Sequence, residues 1–514
     1  MLRKILWYAV VPAIGVFIVV AATAVYVLRP ERLRSMASEK LSEHLNLDVT
    51  IDNIAVALLP RPNVVGTGVR MRVRNRPDLP PFISIERFTV AVGLLDALRQ
   101  HVGTVHADGL KIAVPPREVR DEMRNRPESP EGEPSAMAQV IIDELIAHDA
   151  ELLFIRRDKN KKPLLFSIHD LVVNAVGFNS PMPYKATLTN PVPTGLIEAM
   201  GTVGPWNRDD QTATPLDGKY TFTNADLSTI NGIGGRLNST GTFKGALTEI
   251  RAVGEAKVPD FSLDLGGRPV PLESKFRTLI DGTDGSVKLE HVEARLRNTP
   301  IIVTGAIENL EGPGRHDIKL NATVKDGRIE DVLMLAIDSP APVMTGDINL
   351  TTSLALPPGP TRVRQRIAMA GKFGLEGAKF TDADVQKKME DLSRRTQGKN
   401  DGDPIGRVLT DLRGQFTLKS GVLTMPNLTF RVPGADVALA GNYSINTETM
   451  DFRGTLRMKA SVSQAVGGFK SIFLVPFNPL FRKQGAGAVV PIKITGPRTA
   501  PKFGLEMGKV FKGS

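Results

Sequence analysis

The sequence predicts a mainly β protein that opens with one N-terminal transmembrane helix. Three observations carry this expectation. The run from Ile5 to Leu28 contains no charged residue. Four successive segments near the C-terminus alternate apolar and polar residues with period two. Between these ends, short apolar runs recur, separated by turn dipeptides. Together they predict an anchor followed by an elongated antiparallel β-sheet with a few short helices.

In the first 30 residues the predicted anchor is built from Ile5, Leu6, Trp7, Tyr8, Val16, Phe17, Ile18, Tyr26 and Leu28. A helix rising about 1.5 Å per residue over such a run spans a hydrocarbon core about 30 Å thick. Trp7, Tyr8 and Tyr26 fall where aromatic side chains meet the membrane–water interfaces. A cleaved signal peptide is the rival, because Arg3 and Lys4 precede the run. The run exceeds an ordinary signal-peptide core, and Leu28-Arg29-Pro30-Glu31-Arg32 offers no small-residue cleavage site. Arg29, Arg32 and Arg34 balance the basic residues on the other side, so charge does not orient the helix. Export of the body is the expected outcome for such an anchor.

Residues 31–116 read as a helix followed by strands. Leu33, Met36, Ala37, Leu41 and Leu45 lie near helical spacing across Glu31–Leu45. From Val49 the period changes to two, through Val69, Met71 and Val73, then Ile83, Ile85, Phe88, Val90 and Val92, then Leu110 to Val114. Gly93–Arg99 is expected to make a helical turn. Residues 117–134 form a linker or exposed loop, rich in Pro, Glu and Arg.

The region 135–370 begins with an expected short amphipathic helix at Ser135–Ala147, on Met137, Val140, Ile141 and Leu145. The rest is β, with turns expected at Asp217-Gly218, Asn231-Gly232, Asp281-Gly282 and Asp326-Gly327. Residues 371–514 hold the clearest alternation: Phe416 and Leu418; Leu428, Phe430 and Val432; Val437, Leu439, Gly441 and Tyr443; Met450, Phe452, Gly454, Leu456 and Met458. Asp436, Asn442, Arg453 and Arg457 stand between them, which makes one face apolar and the other wet. Helices are expected to flank these strands at Asp382–Arg395 and Gln464–Phe481.

Composition narrows the function. The 514 residues include no cysteine, which excludes disulfide scaffolds and Cys-based metal or redox sites. The net charge of +10 is spread among interspersed acids and bases, without the aromatic–basic clusters of single-strand binders, so no nucleic-acid partner is expected. Gly467-Gly468-Phe469-Lys470-Ser471 ends like a phosphate loop but has Phe469 where glycine is needed. Asn231-Gly232-Ile233-Gly234-Gly235 fails the dinucleotide motif at Leu237. His101 and His106 lack a nearby carboxylate run, and Asp281–Gly285 lacks the ligands of a calcium loop, so a hairpin turn is expected there. No catalytic residue, metal or cofactor is expected, and the chain is read as a non-enzyme.

Several motifs go further than composition. Ala378-Lys379-Phe380-Thr381, Gly414-Gln415-Phe416-Thr417-Leu418, Val432-Pro433-Gly434-Ala435, Leu439-Ala440-Gly441-Asn442-Tyr443 and Val490-Pro491-Ile492-Lys493-Ile494-Thr495-Gly496 resemble the C-terminal region of the AsmA-like family. Leu59-Pro60-Arg61-Pro62 and Leu94-Leu95 are similar to that family's opening, which also begins with an anchor. The family, related to TamB-like proteins, consists of bacterial envelope proteins. The resemblance implies a β-sheet curled into a hydrophobic groove, held at the inner membrane by a single pass, with the bulk of the chain in the periplasm. It also implies contact with phospholipid acyl chains and a role in lipid transport for outer-membrane homeostasis. The groove-lining candidates are Phe416, Leu418, Leu428, Phe430, Val437, Leu439, Tyr443, Phe452 and Leu456. The competing expectation is a structural or assembly factor for outer-membrane proteins, with an envelope protein partner and no lipid conduction.

Overall fold

The computed structural model describes residues 30–505, except 58–62, 74–79, 92–100, 115–140, 156–162, 310–315, 398–408, 459–488 and isolated positions or short runs between them. The expected anchor residues Ile5, Leu6, Trp7, Tyr8, Val16, Phe17, Ile18, Tyr26 and Leu28 lie outside the described part, as do the expected turn at Gly93–Arg99 and helix at Gln464–Phe481. Among the described residues, no helix is long and apolar enough to cross a membrane. The first of them, α1 (Pro30–Leu45), has 16 residues. That is about 24 Å of helix, short of a bilayer core, and it carries Glu31, Arg32, Arg34, Glu39 and Lys40. The expectation of a single-pass inner-membrane protein is therefore corrected. The fold is mostly β, with a mixed sheet, and the inner-membrane partner, periplasmic placement and lipid-conducting role that rested on the anchor are withdrawn with it.

The chain divides into two compact units. The first comprises residues 1–223, 240–252 and 281–284, and the second 224–239, 253–280 and 285–514. In the first unit, β1 (Leu47–Thr50) and β2 (Asn53–Ala57) both pair with β3 (Asn63–Val73), which pairs with β4 (Ile83–Ala91). Helix α1 lays Ala37 and Leu41 on buried Ile51, Ile54 and Val69, as its spacing predicts.

β5 (His101–Asp108) and β6 (Lys111–Val114) both run antiparallel to β4, with Gly109 (φ +62°) at the break between them. β7 (Ile141–Phe154) then joins both in parallel. This corrects the purely antiparallel expectation. A hairpin turn returns the chain antiparallel, whereas the long connection over 115–140 allows it to cross over and re-enter in the same direction. It also corrects the helix expected at Ser135–Ala147: residues 141–147 are strand, and 135–140 lie outside the described part. Pairing with β5 on one side and β8 on the other supplies hydrogen bonds that a lone short helix could not match. Ala107, Leu110, Ala147, Ala150 and Ile168 form the core here.

From β7 the unit continues antiparallel through β8 (Leu164–Val176), β9 (Met182–Pro191) and β10 (Thr194–Val203). Asp217-Gly218, expected as a turn, lies inside β11 (Pro215–Asp226). Asp217 accepts hydrogen bonds there from the Thr202 amide (3.1 Å) and hydroxyl (2.5 Å), bonds that tie it to the neighbouring β10 segment.

The second unit contains β12 (Ile233–Gly234), parts of β13 (Arg236–Ala246) and β14 (Glu249–Leu263), and a meander in which each strand pairs antiparallel with the next. It runs β15 (Val270–Ile280), β16 (Val287–Leu296), β17 (Thr299–Asn309), β18 (His316–Arg328), β19 (Met344–Leu356), β20 (Ala368–Phe380), β21 (Thr410–Lys419), β22 (Val422–Val432), β23 (Ala435–Ser444), β24 (Thr449–Met458), β25 (Val489–Pro497) and β26 (Lys502–Leu505). Asp326-Gly327 is a bulge within β18, where the register with β19 shifts. Asp281 does lie in a turn between β15 and β16, accepting a hydrogen bond from the Thr283 amide (2.8 Å).

Among the described residues, three helices interrupt the meander: α2 (Ile329–Met334), α3 (Val363–Arg366) and α4 (Ala383–Thr396), the last matching the helix expected at Asp382–Arg395. Ile329 and Leu333 of α2 pack with Val324, Ile348, Leu375 and Ala378. α4 is pinned by Ser393, wholly buried, whose hydroxyl donates to the Pro433 carbonyl at 2.7 Å.

Candidate ligand-binding face

The nine residues singled out from the sequence fall on one face of β21–β24, eight of them in four rows set by register. Leu412, Phe430, Val437, Leu456 and Val490 succeed one another across β21–β25. Gly414, Leu428, Leu439, Gly454 and Ile492 form the next row. Met425, Gly441, Phe452 and Ile494 form a third. Leu418, Leu423, Tyr443 and Met450 form the fourth. Phe416 stands beside Leu418 on β21, opposite Gly371, with its ring centroid 6.4 Å from that of Phe373.

Val437, Leu439 and Phe452 are buried, at 5%, 9% and 9% exposure. Leu428, Phe430, Tyr443 and Leu456 are half-buried against them, together with Met425, Met450, Ile492 and Ile494, which the sequence reading left out of the site. Their alternation with Asn442, Asp451 and Lys493 was the signal that could have found them. All these residues belong to β22–β25. The cluster is thus one layer deep among the described residues, and its side chains bury one another sideways within the sheet. An apolar sheet face normally packs on a second layer or on a ligand.

Two glycines shape this face by close approach. A Cβ on Gly371 would meet the Thr351 carbonyl oxygen before the Phe416 ring at 3.0 Å, and one on Gly441 would meet the Asp451 carbonyl oxygen before the Phe452 ring at 2.7 Å. Each ring lies over a cross-strand glycine, and the neighbouring strand's backbone closes the rest of the space a side chain would take.

The opposite face is charged and carries ion pairs. Arg328 meets Asp347 at 2.7 Å, Arg413 meets Glu376 at 3.0 Å, Arg431 meets Asp436 at 2.7 Å and Arg453 meets Asp451 at 3.3 Å. The hydrogen bond to Asp436 raises the Arg431 guanidinium further above its ordinary value. In the first unit, burial and then the Asp217 carboxylate push the Tyr184 hydroxyl up to about 12.

Among the described residues, no group of three or more His, Asp or Glu side chains is placed to hold a metal ion. His101 and His106 both lie on β5. The chain matches no protein-family model, no curated protein and no solved structure.

Proposed function

We propose that this chain is an AsmA-like β scaffold that works by binding rather than catalysis, with the apolar face of β21–β25 as its working surface. One observation carries the reading. Phe416, Leu428, Phe430, Tyr443 and Leu456 are only half-buried on a face whose cluster is drawn, among the described residues, from a single layer. Water-soluble surfaces rarely leave a contiguous apolar patch of this kind without a binding role. The residues of the face are aliphatic, aromatic or glycine, and Tyr443 alone carries a titratable group. Such a surface holds a partner by removing apolar area from water, at about 25 cal/mol per Å². Neither membrane anchoring nor lipid conduction belongs to this reading.

The test uses the full chain and an uncharged environment-sensitive dye, Nile red, so that the charged face makes no contribution. Saturable fluorescence enhancement is expected, falling several-fold in Phe430→Asp and Leu456→Ser while the melting curve stays cooperative. A folded, monodisperse wild-type chain that leaves the dye in water would refute the reading. So would variants that lose the fold but leave the dye response of the remaining folded protein unchanged.

A further inference from the structure

In the first unit one polar group, the Tyr184 hydroxyl, stands on an apolar sheet face. Register puts Tyr184 in a row that runs Val105, Leu145, Val173, Tyr184 and Gly201 across β5, β7, β8, β9 and β10. Val105 and Val173 are buried. Pro183 and Lys185, which flank Tyr184 in β9, are exposed, as strand alternation requires.

Two glycines decide where the Tyr184 side chain lies. Its cross-strand partner Gly201 has no side chain to stop it, and beyond Gly201 comes Gly218 of β11. A Cβ on Gly201 would meet the Asp217 carbonyl oxygen and the Gly218 Cα, so the two strands approach closely here. A Cβ on Gly218 would meet the Met200 carbonyl oxygen at 2.6 Å, the Phe243 ring at 2.9 Å and the Tyr184 hydroxyl oxygen at 3.1 Å. The hydroxyl therefore lies over β11, two strands from its own, with the edge of Phe243 beside it. Tyr220, two residues along β11 from Gly218, sets its ring centroid 6.4 Å from that of Phe243 at a tilt of 42°. Tyr184, Gly201, Gly218, Tyr220 and Phe243 are all half-buried, and all belong to the first unit.

Three features define what fits there. The Tyr184 hydroxyl makes no hydrogen bond among the described residues, and a half-buried hydroxyl is costly to leave unpaired. Its neighbours on this face, Val173, Gly201, Gly218 and Phe243, offer contact area and no charge. The Asp217 carboxylate is near enough to raise Tyr184, after burial, and it would repel an anion held at the same place. A phenolic hydroxyl is a better donor than acceptor, because its oxygen lone pair is shared with the ring. An apolar body with one neutral acceptor meets these conditions together.

We propose that this part of the first unit is a small-molecule site for an uncharged apolar compound with one carbonyl group, its body against Tyr220 and Phe243 and its carbonyl oxygen accepting from the Tyr184 hydroxyl. The site shares no residue with the face of β21–β25, so either reading can fail without the other.

The experiment titrates the full chain with Prodan, an uncharged naphthalene carrying a propionyl carbonyl, and with 2-(dimethylamino)naphthalene, which lacks the carbonyl. Each titration is run on the wild type and on Tyr184→Phe, and again with Phe430→Asp added to both, which weakens any signal from the other apolar face. Saturable binding of Prodan is expected, about fivefold weaker in Tyr184→Phe, as loss of one neutral hydrogen bond gives. The carbonyl-free dye should bind the two proteins equally, and the contrast should persist when Phe430→Asp is present. Tyr184→Phe should melt with the wild type, since its hydroxyl has no partner among the described residues to lose. Phe243→Ala should weaken both dyes together. Equal weakening of both dyes by Tyr184→Phe would make the residue a packing group and overturn the proposal. No change in either dye would leave the hydroxyl to water and overturn it too, as would the absence of saturable Prodan binding.

Discussion

Asp331 is the one buried carboxylate among the described residues, with 2% exposure on the short helix α2. An ionised carboxyl in such a place needs partners. It accepts from the Asn298 amide at 3.1 Å and the Thr299 hydroxyl at 3.0 Å, and Arg297 lies 3.5 Å away. Thr299 is itself wholly buried and accepts from the Arg328 amide at 2.9 Å. One side chain thus ties the β16–β17 turn to the helix that covers the apolar cluster around Val324 and Ile348. Asp331→Ala would leave the Arg297 charge without its partner and the Asn298 amide and Thr299 hydroxyl without acceptors. A loss of about 2–4 kcal/mol is expected, read from urea unfolding. A loss within about 0.5 kcal/mol would mean that water replaces the carboxylate without cost. Nothing in Arg328-Ile329-Glu330-Asp331 distinguishes the buried acid from its exposed neighbours, because burial here depends on a turn some thirty residues earlier in the chain. That is why sequence reading missed it.

At the level of elements, what was legible follows from local periodicity. The strands from β21 to β24 and the helices α1 and α4 are each decided by side chains a few residues apart, so pattern alone places them. β7 was not legible, because its strand state depends on partners far away in sequence. Asp217-Gly218 and Asp326-Gly327 carry the residues of turns, yet the first lies in a strand and the second in a bulge. The glycines of the apolar face show what such positions are for. Gly371 and Gly441 sit opposite Phe416 and Phe452, and the ring together with the neighbouring backbone occupies the missing side chain's place. Gly441→Val should therefore destabilise by about 1–3 kcal/mol through overpacking. Phe452→Ala alone should also destabilise, through a cavity. Combined, the two should cost close to their sum, because removing the ring does not relieve the contact of the valine with the Asp451 carbonyl oxygen. A double-mutant cycle measures this directly, and a combined cost well below the sum would show that the ring, not the backbone, is what a side chain at 441 meets.

For the molecule as a whole, the meander has an energetic consequence. In β15–β26 each strand's hydrogen-bond partners are its neighbours in the chain, and the clusters that form its core are local. One groups residues around Val324, Ile348 and Leu375, and another around Val437, Leu439 and Phe452. Stability in such an array is close to a sum of neighbour terms, as in repeat proteins, so a perturbation decays over a few strands. The apolar face of β21–β25 can then be loosened or occupied without unfolding the strands before it, which is the condition a binding surface needs. Leu439→Ala, at a site 9% exposed, should cost about 2–4 kcal/mol locally. Hydrogen exchange followed by mass spectrometry should show faster exchange across β22–β24, while β16–β18 keep their wild-type protection. If protection instead fell by the same factor in both regions, the second unit would unfold as one cooperative block. Loss of binding in any variant of the apolar face would then have to be separated from loss of the fold before it could be assigned to the surface.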